Sequence, residues 1–108
     1  MSVEQEAVVD AIGVETGSGT VVLTISDHLK WDEANEHLLT LQNKINRYLA
    51  FIESGELLER YPNADGRPVR IDIVCMYEPT PIAREFLSRA QSTVINAGVS
   101  FGWRVLAA

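Results

Sequence analysis

The chain has one cysteine, Cys75, so no disulfide can form within it. Cys75 lies in an apolar run and reads as a small buried hydrophobe, not as a reactive thiol. Basic side chains are also scarce. There are 9 Lys and Arg against 15 Asp and Glu, a formal net charge of -6. Nucleic-acid binders neutralise phosphates with clustered Lys and Arg and release counterions, so no nucleic-acid partner is expected. No apolar run approaches the roughly 18 residues of a membrane span. The opening "MSVEQEAVVD" is acidic and lacks the basic and apolar regions of a secretory leader. The expectation is therefore a cytoplasmic protein with no membrane association. Catalytic signatures are missing too. There is no Gly-x-Ser-x-Gly nucleophile motif, no His-Glu-x-x-His and no cysteine pair. No catalytic residue and no cofactor is assigned from the sequence.

What is present suffices for one domain over residues 1–108. With 46% hydrophobic residues the chain can bury a core without disulfides or metal. Residues 8–14 and 20–26 read as strands around the turn-rich "ETGSG", which suggests a hairpin. A long helix is predicted from Ala34, with Leu38, Leu41, Ile45, Tyr48 and Ile52 as its apolar stripe and Leu49 and Phe51 on its flanks. Gly55 should stop it in a left-handed cap. "ELLER" adds a short helical turn, and "YPNADGRP" reads as a loop.

Residues 69–77 form the clearest strand, with Val69, Ile71, Ile73, Cys75 and Tyr77 on one face. Thr80 is a sensible N-cap and Pro81 a sensible first helical residue. The next helix carries Ala83, Phe86, Leu87, Ala90, Val94 and Ala97 on its apolar side and ends at Gly98. Residues 99–106 read as a last strand.

The order strand, strand, helix, strand, helix, strand predicts an α+β fold. The expected form is a two-layer sandwich, a four-stranded mixed sheet with two helices on one face. Strand order is not set by the pattern. The uncovered face should carry Val22, Thr24, Arg70, Asp72, Val74, Met76, Ser100, Gly102 and Arg104. A fully solvated face rarely carries Val22, Val74 and Met76 together, and a buried one would not carry two arginines and an aspartate. A partly covered face and an ordinary exposed face with some apolar residues are both open readings. Arg70 and Arg104 could also pair with Asp72 across strands, which would need no partner. Val22, Thr24, Arg70, Asp72, Val74, Met76 and Arg104 are the candidate interface.

One stretch concentrates polar chemistry. "SDHLKWDEANEHLL", residues 26–39, holds four carboxylates and both histidines. Asp27, His28, Asp32, Glu36 and His37 are the candidate polar site, and such a set could hold zinc or manganese. A structural account competes. Asp32 is a good N-cap, and Glu33 and Glu36 complement the positive end of the helix dipole. His37 falls at the flank of the apolar stripe, a boundary position suited to a structural hydrogen bond. Trp31 would pack as an anchor over the helix start.

The segments "LTISDHLKWD", "NEHLLTLQNKIN" and "FIESGEL" resemble a family of small, mostly bacterial proteins known only as a domain of unknown function. The likeness covers most of the chain up to about Tyr77. It implies a cytoplasmic bacterial setting and no activity, cofactor or catalytic residue. Taken together, the residues favour a non-enzymatic interaction protein, adaptor or immunity-like, that meets a protein partner or a second copy through its open sheet face. The alternative is a metal-binding or metal-dependent hydrolytic protein using the acidic–histidine cluster. A small-molecule pocket lined by Trp31, Tyr48, Tyr77 and Trp103 is a third reading, although aromatics at such positions are more often core.

Overall fold

In a computed structural model, which describes residues 11–31 and 36–106, strict alternation sets the two sides of the sheet. Strand β1 is Ala11–Val14, β2 is Val21–Asp27, β3 is Val69–Cys75 and β4 is Ser100–Val105. Their spatial order is their chain order, β1-β2-β3-β4. β1 runs antiparallel to β2, while β2, β3 and β4 are parallel. The sheet is therefore mixed, as expected, and each parallel pair is joined through a helix, as parallel pairing requires. Residues 8–10 of the first predicted strand lie outside the described residues.

Helix α1, Glu36–Glu53, connects β2 to β3, and α3, Pro81–Asn96, connects β3 to β4. Beside these two, the described residues include a third helix where "ELLER" predicts a short helical turn. Short α2, Glu56–Arg60, and a 3-10 turn at Pro62–Ala64 occupy the connection after α1. Gly55 separates α1 from α2 at φ 86°, the left-handed conformation that a side chain would resist. α3 begins as expected: Thr80 caps it by accepting from the Ala83 N–H at 3.2 Å, and Pro81 follows.

The helices lie on one face. Val21, Leu23 and Ile25 of β2, with Ile71, Ile73 and Cys75 of β3, are buried against Leu41, Ile45, Tyr48 and Phe51 of α1 and Leu87 and Val94 of α3. Leu57 and Ala64 extend this core beyond α1. The alternation expected for β2 and β3 is thus present. Tyr77 departs from it. It sits past the end of β3 and is exposed, because the strand stops at Cys75. Ala97, expected on the α3 stripe, is exposed at the helix end.

The stripe of α1 also differs from the expectation. Leu41, Ile45 and Tyr48 are buried as expected, but His37, Lys44 and Phe51 join them, while Leu38 and Ile52 are half-buried. The helix is turned so that polar side chains reach polar atoms of β2. The Tyr48 hydroxyl donates to the Thr24 carbonyl at 2.8 Å. Lys44 is fully buried, with Nζ 5.5 Å from the centre of the Tyr48 ring. Leu38 instead lines the seam with α3, beside Ile82 and Phe86.

Replacing Tyr48 by Phe is expected to lose the single hydrogen bond and about 1 kcal/mol of stability. Tyr48→Ala, which empties the core position, should cost about 3–5 kcal/mol. Urea unfolding of both variants checks the order. Equal losses would show that the hydroxyl, not the ring, carries the contribution.

Candidate functional site

The parallel strands β2 and β3 end side by side, with Asp27 and Cys75 as register partners. The carboxyl ends of parallel strands are where open α/β sheets usually place ligand sites. Here that end is closed by a tight set of bonds. Asp27 is buried and accepts the Leu29 N–H at 3.2 Å. His37, in the first turn of α1 and also buried, brings Nε2 to 2.6 Å from both carboxylate oxygens of Asp27. Its other ring nitrogen, Nδ1, donates to the Lys30 carbonyl at 3.1 Å. Trp31 stacks on the His37 ring, 3.8 Å between centroids and 18° between planes. The Trp31 indole N–H then donates to the Tyr77 carbonyl at 3.1 Å. Lys30 Nζ lies 5.7 Å from the Tyr77 ring centre. The loops after β2 and β3 are thereby tied to each other and to the first turn of α1.

The chemistry of this set is that of an interlock. A histidine working as general base keeps one nitrogen on an orienting carboxylate and turns the other towards a reacting group. In this structure the second nitrogen is held by a main-chain carbonyl, and the ring is covered by Trp31. Cys75 is equally withdrawn. Burial, and then the negative charges of Asp27 and Glu78, push its thiol up to about 12. It stays protonated at neutral pH and is no nucleophile.

Of the candidate polar residues, the fold joins Asp27 and His37. His28 and Glu36 are exposed, and Asp32 lies outside the described residues. Among the described residues no three His, Cys, Asp or Glu gather as metal ligands do. The expectation for His37 is a half-buried boundary. It makes the anticipated structural bond, but fully inside, because Asp27 is itself buried. Trp31 anchors the helix start as expected, through stacking on His37. The burial of Lys44 is not anticipated by the apolar pattern. A signal for it exists: residues 37, 41, 44, 48 and 51 are spaced as regularly as the apolar series, but two of them, His37 and Lys44, are polar.

None of the four aromatics of the third reading lines the groove between α1 and α3. The groove there, about 290 Å³, is lined by Gln42, Ile45, Asn46, Phe86, Arg89, Ala90 and Thr93. Tyr48 is core, and Trp103 packs under the Arg84 guanidinium, 5.5 Å from its ring centre.

On the opposite side no described helix covers the sheet. Register places Gly13, Val22, Arg70 and Ser100 in one row, Ala11, Thr24, Asp72 and Gly102 in the next, and Ser26, Val74 and Arg104 in the third. Arg70 pairs with Asp72 at 2.9 Å along its own strand and with Glu15 at 2.8 Å. The Arg70 bond, and then the Ser18 hydroxyl, hold the Glu15 carboxyl below its ordinary value. The cross-strand pairing of Arg104 with Asp72 that the residues allow is not formed; within the chain Arg70 pairs with that carboxylate instead. Val22 and Val74 are half-buried, and Met76 is exposed.

These features define an α+β fold whose described helices lie on one face of a four-stranded mixed sheet. The chain belongs to a family of unknown function (DUF6572), matched over residues 1–107. The relationship extends through β4, beyond the part of the chain that carried the resemblance in the sequence. No curated protein and no solved structure matches it.

Removing either half of the interlock leaves the other polar group buried without its partner. Asp27→Ala and His37→Ala should each destabilise by about 3–5 kcal/mol. The double variant should cost clearly less than the sum, as contacting residues do. Additive losses in denaturant titrations would mean that the pair is not coupled. Cys75 should resist a thiol reagent in the native protein at pH 8 and react fully after unfolding. Rapid native labelling would contradict its burial.

Proposed function

We propose that this protein is a non-enzymatic interaction module whose recognition surface is the open face of its sheet. The observation that carries the reading is the pattern at that face: Val22 and Val74, with Met76 just past the end of β3, beside Arg70, Glu15 and Asp72, which already satisfy one another. Docking a charged surface normally requires stripping water from each ion. Arg70 brings two carboxylates of its own, so a partner can cover it without leaving the guanidinium unpaired. The apolar side chains between these groups then supply favourable burial.

The interlocked state of Asp27 and His37 supports the non-enzymatic part. In this reading the protein acts in the cytoplasm as an adaptor, or as the neutralising partner of another protein. No described helix is long and apolar enough to cross a membrane.

The test is an affinity capture from a native extract with four baits: the unaltered protein, Val74→Asp, Met76→Asp and, on the helical side, Ile82→Asp. All four should keep their circular dichroism spectrum, because each site is partly or largely exposed. The two sheet-face variants should lose at least about tenfold of the recovered partner, while Ile82→Asp keeps it. A reversed pattern would move the interface to the helices and sink the proposal.

A further inference from the structure

We infer that the open face is built to meet a second copy of this chain, with Arg104 of each copy placed on Asp72 of the other. The inference rests on the reading of that face as the recognition surface and goes on to name its occupant.

The charge arrangement points there. In a chain of net charge -6, two copies repel unless they meet where charge is balanced. The open face carries Glu15 and Asp72 against Arg70 and Arg104, a balanced set. The balance is unevenly distributed, however. Arg70 holds both carboxylates. Arg104 is exposed on the edge strand, and its guanidinium has no hydrogen bond or ion pair among the described residues. One half of the face thus has a carboxylate in excess and the other an unmatched guanidinium. An isologous interface, in which residue i meets j and j meets i, satisfies both at once.

The register shows how the copies would fit. Asp72 pairs with Gly102 across β3 and β4, and Val74 with Arg104. These four residues form the corners of a near-rectangle, about 4.8 Å between strands and about 6.6 Å along them. Asp72 and Arg104 lie on one diagonal, and Val74 and Gly102 on the other. A two-fold axis lying in the interface along the second diagonal nearly exchanges the positions of Asp72 and Arg104, and the long arginine side chain spans the remainder. It also brings Val74 against its own counterpart, an apolar centre.

Gly102 makes the approach possible. A Cβ there would come 3.1 Å from Asp72 Oδ1, so with glycine the carboxylate stays open on its β4 side. A glycine in a strand commonly marks such a close approach of another group.

The experiment is a measurement of mass by light scattering on a sizing column, over a range of concentrations. The unaltered protein should run at about twice its 12.0 kDa chain mass. Arg104→Glu should raise the dimer dissociation constant by about 100-fold. Asp72→Lys should do the same. Because that substitution also releases Arg70, the two variants are then mixed in equal amounts. The mixture should recover the dimer, since each variant carries the charge that the other now lacks. A mixture that stays monomeric overturns the pairing. A dimer that survives both Arg104→Glu and Val74→Asp overturns the inference as well. So does a chain that stays at 12.0 kDa at every concentration. In that last case, capture of another protein through the same face would leave the interaction reading standing while the second-copy assignment falls.

Discussion

The bond between His37 and Asp27 is the constraint on which the arrangement of this end of the molecule depends. It joins the end of β2 to the first turn of α1, and its geometry decides how α1 is rotated on the sheet. Once His37 faces Asp27, the same face of α1 carries Leu41, Lys44, Tyr48 and Phe51 inward. Tyr48 then reaches the Thr24 carbonyl. A buried ion-pairable contact of this kind adds little net stability over an apolar equivalent, yet it is costly to break on one side. Its effect here is one of position: it selects one rotation of a helix whose apolar pattern alone would allow another.

That selection has a consequence for chemistry. A histidine, an aspartate and a cysteine near adjoining strand ends resemble the parts of an active site. The structure uses them differently. Both nitrogens of the ring are engaged, the carboxylate is turned inward, and the thiol is kept protonated by burial. Trp31 covers the ring and ties the neighbouring loop to the carbonyl of Tyr77. The polar cluster holds two loops and a helix together.

All the described helices sit on one face because consecutive parallel strands, joined by helices and added in one direction, keep returning the chain to the same side. No described helix covers the other face. There a guanidinium shared by two carboxylates and an unshared guanidinium stand among valines, a methionine and a strand glycine. Their arrangement gives the face a polarity from one edge to the other.

Much of this architecture was legible in the residues. Period-two alternation in residues 21–25 and 69–75 separated the two sheet faces correctly, and Thr80, Pro81 and Gly55 marked helix ends through local backbone chemistry. These are short-range effects, set by neighbours in the chain. The expected stripe of α1 failed by one position at Leu38 and Ile52 because two series of residues, one apolar and one partly polar, share Leu41 and Tyr48. Local spacing cannot choose between them. The choice was made by acceptors on β2, distant in sequence from His37 and Tyr48. Likewise the sequence placed Arg70, Asp72 and Arg104 on one face, but which arginine took the carboxylate depended on distance in three dimensions and on Glu15. What the sequence by itself determined is which residues share a side of each element, because backbone geometry repeats with a fixed period. What only the tertiary structure decided is the rotation of α1 and the partner of each charge, because polar contacts form between atoms that the chain brings together only on folding.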